Sequence, residues 1–280
     1  MIIDGISCVS RADSGSEDNA MRVDMVQELG LNVDNDEKYQ REFRIGNGKI
    51  IKSLGTVHAI CSFANDQNLL LSCVFYVFAS LVCPLLMGMA FLDQTETLSR
   101  NRHRLQPRLS PFNELSGFCT LNNPRRRLVC LANQELVLAH ADTGSEMDLL
   151  SLAYVRKKGY IMDRLDAEED WIVQFADGST GQLVGSVTLE IILGHTEGPH
   201  FTVTFYVLED LICDLLLGEH FLNETNAFHS YKESFSIVET EDYSRGINTI
   251  VWLNTIEKFF SGFFVGTSAP QPLSGMRFPF

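Results

Sequence analysis

Ala12-Asp13-Ser14-Gly15-Ser16-Glu17 and Ala141-Asp142-Thr143-Gly144-Ser145-Glu146 are near copies within one chain, each placing an aspartate ahead of a hydroxyl residue and a glycine. Asp13 and Asp142 are separated by 142 − 13 = 129 positions, and Gly30 stands to Gly159 at the same offset. Gly48 and Gly178, Gly55 and Gly185, and Phe75-Tyr76-Val77 and Phe205-Tyr206-Val207 follow at 130, so one single-residue insertion accounts for the drift. The series closes with Leu85-Leu86-Met87-Gly88-Met89-Ala90-Phe91-Leu92 against Leu215-Leu216-Leu217-Gly218-Glu219-His220-Phe221-Leu222, again at 130. Aspartate and glycine alone are ordinary turn residues. An ordered series running through both halves is the signature of a duplicated unit.

Working outward, the repeat divides the chain into a first lobe at 1–98, a polar and basic linker at 99–127, a second lobe at 128–239 and a tail at 240–280 outside the repeat. With 280 residues and 45 % apolar content, the chain can bury a sizeable core. The 36 acidic and 22 basic side chains give a net charge of −14, which argues against nucleic acid and anionic membranes as partners. The arginines of the linker, among them Arg100, Arg102, Arg104 and Arg108, have no interleaved stacking aromatics, so they read as a solvated connection. Seven cysteines without metal-ligand spacing read as reduced thiols. His195, His200, His220 and His229 likewise lack compact ligand spacing, so neither a metal nor another cofactor is expected. No basic leader or long apolar run precedes Asp13, and a cytoplasmic location is expected.

Residues 69–92 carry no charged side chain and are long enough to span a bilayer as a helix. The equivalent stretch of the second half holds Glu209, Asp210, Asp214 and Glu219, which hydrocarbon would not accept, and Pro84 would interrupt a helix. Phe201, Val203, Phe205 and Val207 alternate at the strand period, so strands are predicted here and no membrane span.

Each half thus reads as short strands, the aspartate loop, and a short helix stopped by glycine, at Leu152 to Lys158 before Gly159 and at Val23 to Leu29 before Gly30. Hairpins are predicted around Gly46-Asn47-Gly48 and Asp177-Gly178, where Asn-Gly and Asp-Gly signal two-residue turns. In the tail, Ile250, Leu253, Ile256, Phe260 and Phe263 have helix-like spacing over residues 247–264.

Two aspartates facing each other can share one proton: the ionised one draws a proton from water while the neutral one polarises a peptide carbonyl. Asp13 and Asp142 are the candidates for that pair, one on each lobe. Gly15 and Gly144 allow close backbone approach, Ser14 and Thr143 can hydrogen-bond across to the opposite loop, and Ser16 and Ser145 can hold the outer carboxylate oxygens. Glu17, Asp18, Glu146 and Asp148 follow the loops and would raise the upper pKa of the pair on approaching it, which predicts an acid-shifted optimum.

Over roughly residues 1–239 the pattern resembles the retropepsin-like aspartic proteases, where an Asp-Thr/Ser-Gly loop and a later apolar-apolar-Gly segment define each lobe. Two units in tandem are similar to the duplicated retropepsin-like proteins of fungi. The resemblance implies a mostly β fold of two pseudo-twofold-related lobes with a cleft between them. It also implies a monomer acting as an intramolecular pseudo-dimer, and a peptide or protein substrate cut between Asp13 and Asp142. The hairpins carrying Gly46, Asn47, Gly48, Asp177 and Gly178 would then be flaps. Neither carries the flap tyrosine of pepsins. The alternative of a different class is a peptide-binding or assembly module that keeps the fold without cutting.

Overall fold

The computed structural model describes residues 1–106, 125–166, 171–194, 198–238, 245–247 and 250–252. They form a mostly β structure of two large curled sheets, one of seven strands from the first half and one of nine from the second, and a small three-stranded sheet. This is in keeping with the retropepsin-like fold that the sequence resemblance implies.

The spine of each large sheet is a long antiparallel hairpin. Gly55–Phe63 pairs with Asp66–Phe78 in the first half, and Thr180–Leu193 with His200–Leu208 in the second. The predicted alternation is present in the second: Val203, Phe205 and Val207 are buried and Phe201 packs at the edge of the same core, while Thr202 and Thr204 face solvent. Within residues 69–92, apolar enough to suggest a membrane helix, 69–78 and Leu85–Met87 are strand. Among the described residues no helix is long and apolar enough to cross a membrane.

The two halves repeat their pairings residue by residue. Ala12 lies parallel to Met87 and Ala141 to Leu217, Ala20 lies antiparallel to Leu86 and Leu149 to Leu216, and Asn19–Arg22 and Leu149–Ser151 run parallel to their long hairpins. Each apolar-apolar-Gly strand therefore lies between the strand entering the aspartate loop and the strand leaving it. The glycine is required because the chains nearly touch: a Cβ on Gly88 would sit 2.4 Å from the Asp18 carbonyl oxygen, and one on Gly218 2.6 Å from that of Met147.

Leu152–Lys158 is helical as predicted, with Ser151 capping its start through the Tyr154 amide and Gly159 closing it at φ 66°. The first-half helix, Val23–Glu28, starts at Arg22 without a side-chain cap. Two helices that the repeat did not suggest, Met89–Gln94 and Glu219–Glu224, follow Gly88 and Gly218 directly.

Three expectations change. The hairpin turns are three-residue loops: Ile45 N–H bonds to Lys49 O and Gly48 N–H to Ile45 O, and Phe175, Ser179 and Gly178 repeat the pattern. Gly48 and Gly178 take the left-handed positions at φ 83° and 87° that such loops require. Secondly, the stretch read as linker runs into structure, because the strand Arg125–Ala132 begins at Arg125 and pairs with Phe235–Val238. Lastly, of the tail stretch with helical spacing, Ile247 and Ile250–Trp252 are strand residues, and the remainder lies outside the described residues. Cys119 and His195 also lie outside them. No disulfide links the described cysteines.

A cluster of buried side chains crosses from half to half: Phe43, Ile45, Phe78 and Leu81 of the first pack with Trp171, Val173, Phe175 and Leu211 of the second. Both short hairpins therefore present their apolar faces to a shared interior, which holds them against the body of the protein.

Candidate active site

The aspartate loops meet head to head. Ser14 N–H donates to Thr143 Oγ1 and Thr143 N–H to Ser14 Oγ, both at 2.9 Å. Each hydroxyl then donates to a carbonyl of the opposite loop, Ser14 Oγ to Ala141 O at 3.0 Å and Thr143 Oγ1 to Ala12 O at 3.1 Å. These four bonds are satisfied only when the loops are together, so two segments 129 positions apart are locked in one relative placement.

The lock sets the carboxyl groups. Asp13 Oδ1 accepts the amides of Gly15 and Ser16 at 2.8 and 3.0 Å, and Asp142 Oδ1 accepts the amide of Gly144 at 2.7 Å. Each carboxyl lies over the opposite glycine: a Cβ on Gly15 would be 2.3 Å from Asp142 Cγ, and one on Gly144 2.6 Å from Asp13 Cγ. The two aspartates are therefore neighbours, and both are fully buried. Asp142 is pushed up to about 6, first by burial, against the opposing pull of a hydrogen bond with Asp13, the loop amides and the Arg11 charge. Its Oδ2 has no hydrogen-bond partner by distance and angle among the described residues.

Ser16 and Ser145 do not hold the outer carboxylate oxygens with their hydroxyls. Ser16 Oγ donates to Asp18 O at 2.9 Å and Ser145 Oγ to Met147 O at 2.8 Å, each bracing its own loop. Ser16 contributes through its amide instead. A side chain this short satisfies the nearest backbone carbonyl of the turn first.

The acid that follows the second loop also has a different role from the one expected. Asp148 Oδ1 accepts the Gly218 amide at 2.8 Å, and loss of solvation raises its own carboxyl to about 6. Asn19 holds the equivalent place and accepts the Gly88 amide at 3.0 Å. Burial, rather than these acids, is the leading cause of the Asp142 shift.

Arg11 was not singled out by the sequence. Its Nη2 reaches across to Gly144 O at 3.1 Å and to Glu219 Oε2 at 3.5 Å, and its charge favours the ionised form of Asp142. Its position two residues ahead of Asp13 was the available signal, but the second half has His140 there, which pairs with Arg127 at 2.7 Å.

The two hairpin tips are joined to each other. Lys49 forms an ion pair with Asp177, and Asn47 Nδ2 donates to Ser179 Oγ at 3.4 Å. Burial raises the Asp177 carboxyl, but the bonds from Lys49 and Ser179 outweigh it and hold it below the usual carboxylate range. Each hairpin is also tied to the opposite half, by Ile212 N–H to Gly46 O at 3.1 Å and by Val82 N–H to Ala176 O at 2.9 Å. Gly46 and Ala176, like Val82 and Ile212, are 130 apart, so the ties obey the same two-fold relation. Among the described residues no group of three or more His, Cys, Asp or Glu has the arrangement to hold a metal ion.

No family model matches the chain, and no curated protein matches it. Among solved structures, it is similar to the retroviral protease-like domain of Ddi1 from Leishmania major, at 18% identity and a TM-score of 0.29. That likeness covers 44% of this chain and 89% of the other.

Proposed function

We propose that the chain is an aspartic-type endopeptidase, two retropepsin-like units in tandem, with Asp13 and Asp142 as its catalytic pair and an extended peptide as substrate. The observation that carries this reading is the reciprocal seating of each carboxyl on the other loop's glycine, held by the Ser14 and Thr143 bonds. Two carboxyls so close cannot both ionise readily, so one proton belongs to the pair. The ionised member takes a proton from the attacking water, the neutral member donates a hydrogen bond to the scissile carbonyl, and the proton passes to the leaving amine as the tetrahedral intermediate collapses. Burial of the pair strengthens these interactions once substrate is enclosed. The halves 1–98 and 128–239 each supply one aspartate, so a monomer suffices.

The reading of different class, a peptide-binding module without turnover, is favoured by two observations: both aspartates are fully buried, and the hairpin tips are already tied together. Incubation with a peptide library across pH 3–8, with Asp13→Asn and Asp142→Asn as controls, separates the two. Specific cleavage lost in both variants supports the endopeptidase. Binding without cleavage at any pH supports the module.

A further inference from the structure

The last two described segments, Arg245–Ile247 and Ile250–Trp252, are strands laid along the outer edges of the two hairpins. The first runs parallel to Glu42–Ile45, with Arg245 opposite Phe43, Gly246 opposite Arg44 and Ile247 opposite Ile45. The second runs antiparallel to Ile172–Phe175, with Trp252 opposite Val173, Val251 opposite Gln174 and Ile250 opposite Phe175.

Phe43, Arg44 and Ile45 are the equivalents of Val173, Gln174 and Phe175, since 173 − 43 = 130. The repeat therefore makes Arg245 equivalent to Trp252, Gly246 to Val251 and Ile247 to Ile250. All three pairs share one centre in the sequence, the bond between residues 248 and 249, because (245 + 252)/2, (246 + 251)/2 and (247 + 250)/2 all equal 248.5. A two-fold axis reverses strand direction, so one extended chain crossing it must run parallel to one hairpin and antiparallel to its mate. It must also meet equivalent residues at equal distances from a central bond. The tail meets both conditions, and incidental packing of a terminal segment would require neither.

A hairpin edge offers a row of backbone donors and acceptors that an added strand satisfies. We propose that the chain's own residues 245–247 and 250–252 occupy the two hairpin edges, where an extended peptide would lie, as an intramolecular pseudo-substrate. The inference rests on the reading of the hairpins as flaps. Being covalently attached, the tail acts at high effective concentration, so a peptide in trans must compete with it.

The test uses the full-length Gly246→Pro/Val251→Pro variant, because proline lacks the N–H that a paired strand supplies. Two quantities are measured: hydrogen exchange at the amides of 42–45 and 172–175, and binding of a labelled synthetic peptide spanning residues 243–254. Exchange at least tenfold faster at both hairpins, with the peptide binding the variant at least tenfold tighter than the unaltered chain, is expected. Unchanged exchange, release of one hairpin alone, or equal peptide affinity for both proteins overturns the proposal. Should the double proline variant fail to fold, two cysteine pairs in the unaltered register decide: Gly246→Cys with Arg44→Cys, and Val251→Cys with Gln174→Cys. Disulfide formation by both pairs is expected, and failure of either overturns the proposal. None of these readouts requires turnover, so an inactive protein with releasable hairpins would sink the endopeptidase reading and leave this one intact.

Discussion

Ser14 and Thr143 each take the other's main-chain amide on a side-chain oxygen, at 2.9 Å in both directions. The hydroxyls pass the contact on to Ala141 O and Ala12 O, so the two loops are joined by four bonds through two side chains. Thr143→Val keeps the shape and removes the hydroxyl, leaving the part-buried Ser14 amide and Ala12 carbonyl without their partners. A loss of roughly 2–4 kcal/mol is expected for two such groups, measured by urea unfolding. Thr143→Ser restores most of it. A Thr143→Val protein with unaltered stability would show that the loops are held by something else.

Gly15 and Gly144 are required by contact with the opposing acid. A Cβ on either would stand 2.3 or 2.6 Å from the opposite carboxyl carbon, closer than any real contact. Gly15→Ala and Gly144→Ala are therefore expected to push the carboxyls apart and to lower kcat by roughly 100-fold or more, the scale of an ångström-sized misplacement at a reacting centre. Gly30→Ala is the contrasting case: its backbone is left-handed at φ 64°, unlike that of Gly15 and Gly144, and nothing lies within 4 Å of its Cβ, so it should lower stability by backbone strain without that loss of rate.

How much of this was legible in the sequence depends on how local the cause is. The aspartate loops, the helix ended by Gly159 and the placement of Gly88 and Gly218 are dictated by short-range chemistry, and duplication shows each one twice. The hairpins were legible as hairpins, but the bonds made by Gly48 and Gly178 create three-residue loops that Asn-Gly and Asp-Gly alone do not distinguish from two-residue turns. Arg11 was missed because its acceptors, Gly144 and Glu219, lie 133 and 208 residues away and its equivalent is a histidine. The tail was misread because apolar spacing reports a segment's own periodicity, whereas strand pairing at 245–247 and 250–252 depends on edges supplied about 200 and 80 residues earlier.

Asp148 and Asn19 perform one structural task with and without charge, each accepting the amide of the glycine behind its loop. Burial raises Asp148 to about 6, so between the ordinary aspartate range and that value the folded protein holds more protons than the unfolded one. Stability from this site is thus greatest at low pH and falls as pH rises through about 6. Asp148→Asn should keep the hydrogen bond and abolish the fall. Stabilisation on the order of 1–2 kcal/mol at pH 7.5, shrinking to nothing near pH 3.5, is expected from thermal melts across that range. A variant less stable than the unaltered chain at pH 7.5 would show that the carboxylate is needed in its charged form.

The upper limb of the pH profile belongs to the aspartate pair, and Arg11 is the cation set against it. With Asp142 pushed up to about 6, one member of the pair keeps its proton below that value and loses it above, so kcat/KM should decline as pH rises through about 6. The Arg11 charge favours the ionised Asp142, and its removal makes ionisation harder. Arg11→Gln is therefore expected to move the declining limb upward by roughly half a pH unit, as a single partly buried charge does. Arg11→Lys keeps the charge but not the planar reach to Gly144 O and Glu219, and should return the limb towards its original position while leaving kcat reduced. The contrast separates field from positioning: a limb that fails to move in Arg11→Gln, or moves equally in both variants, would mean that Arg11 acts by holding the loop rather than by its charge on the pair.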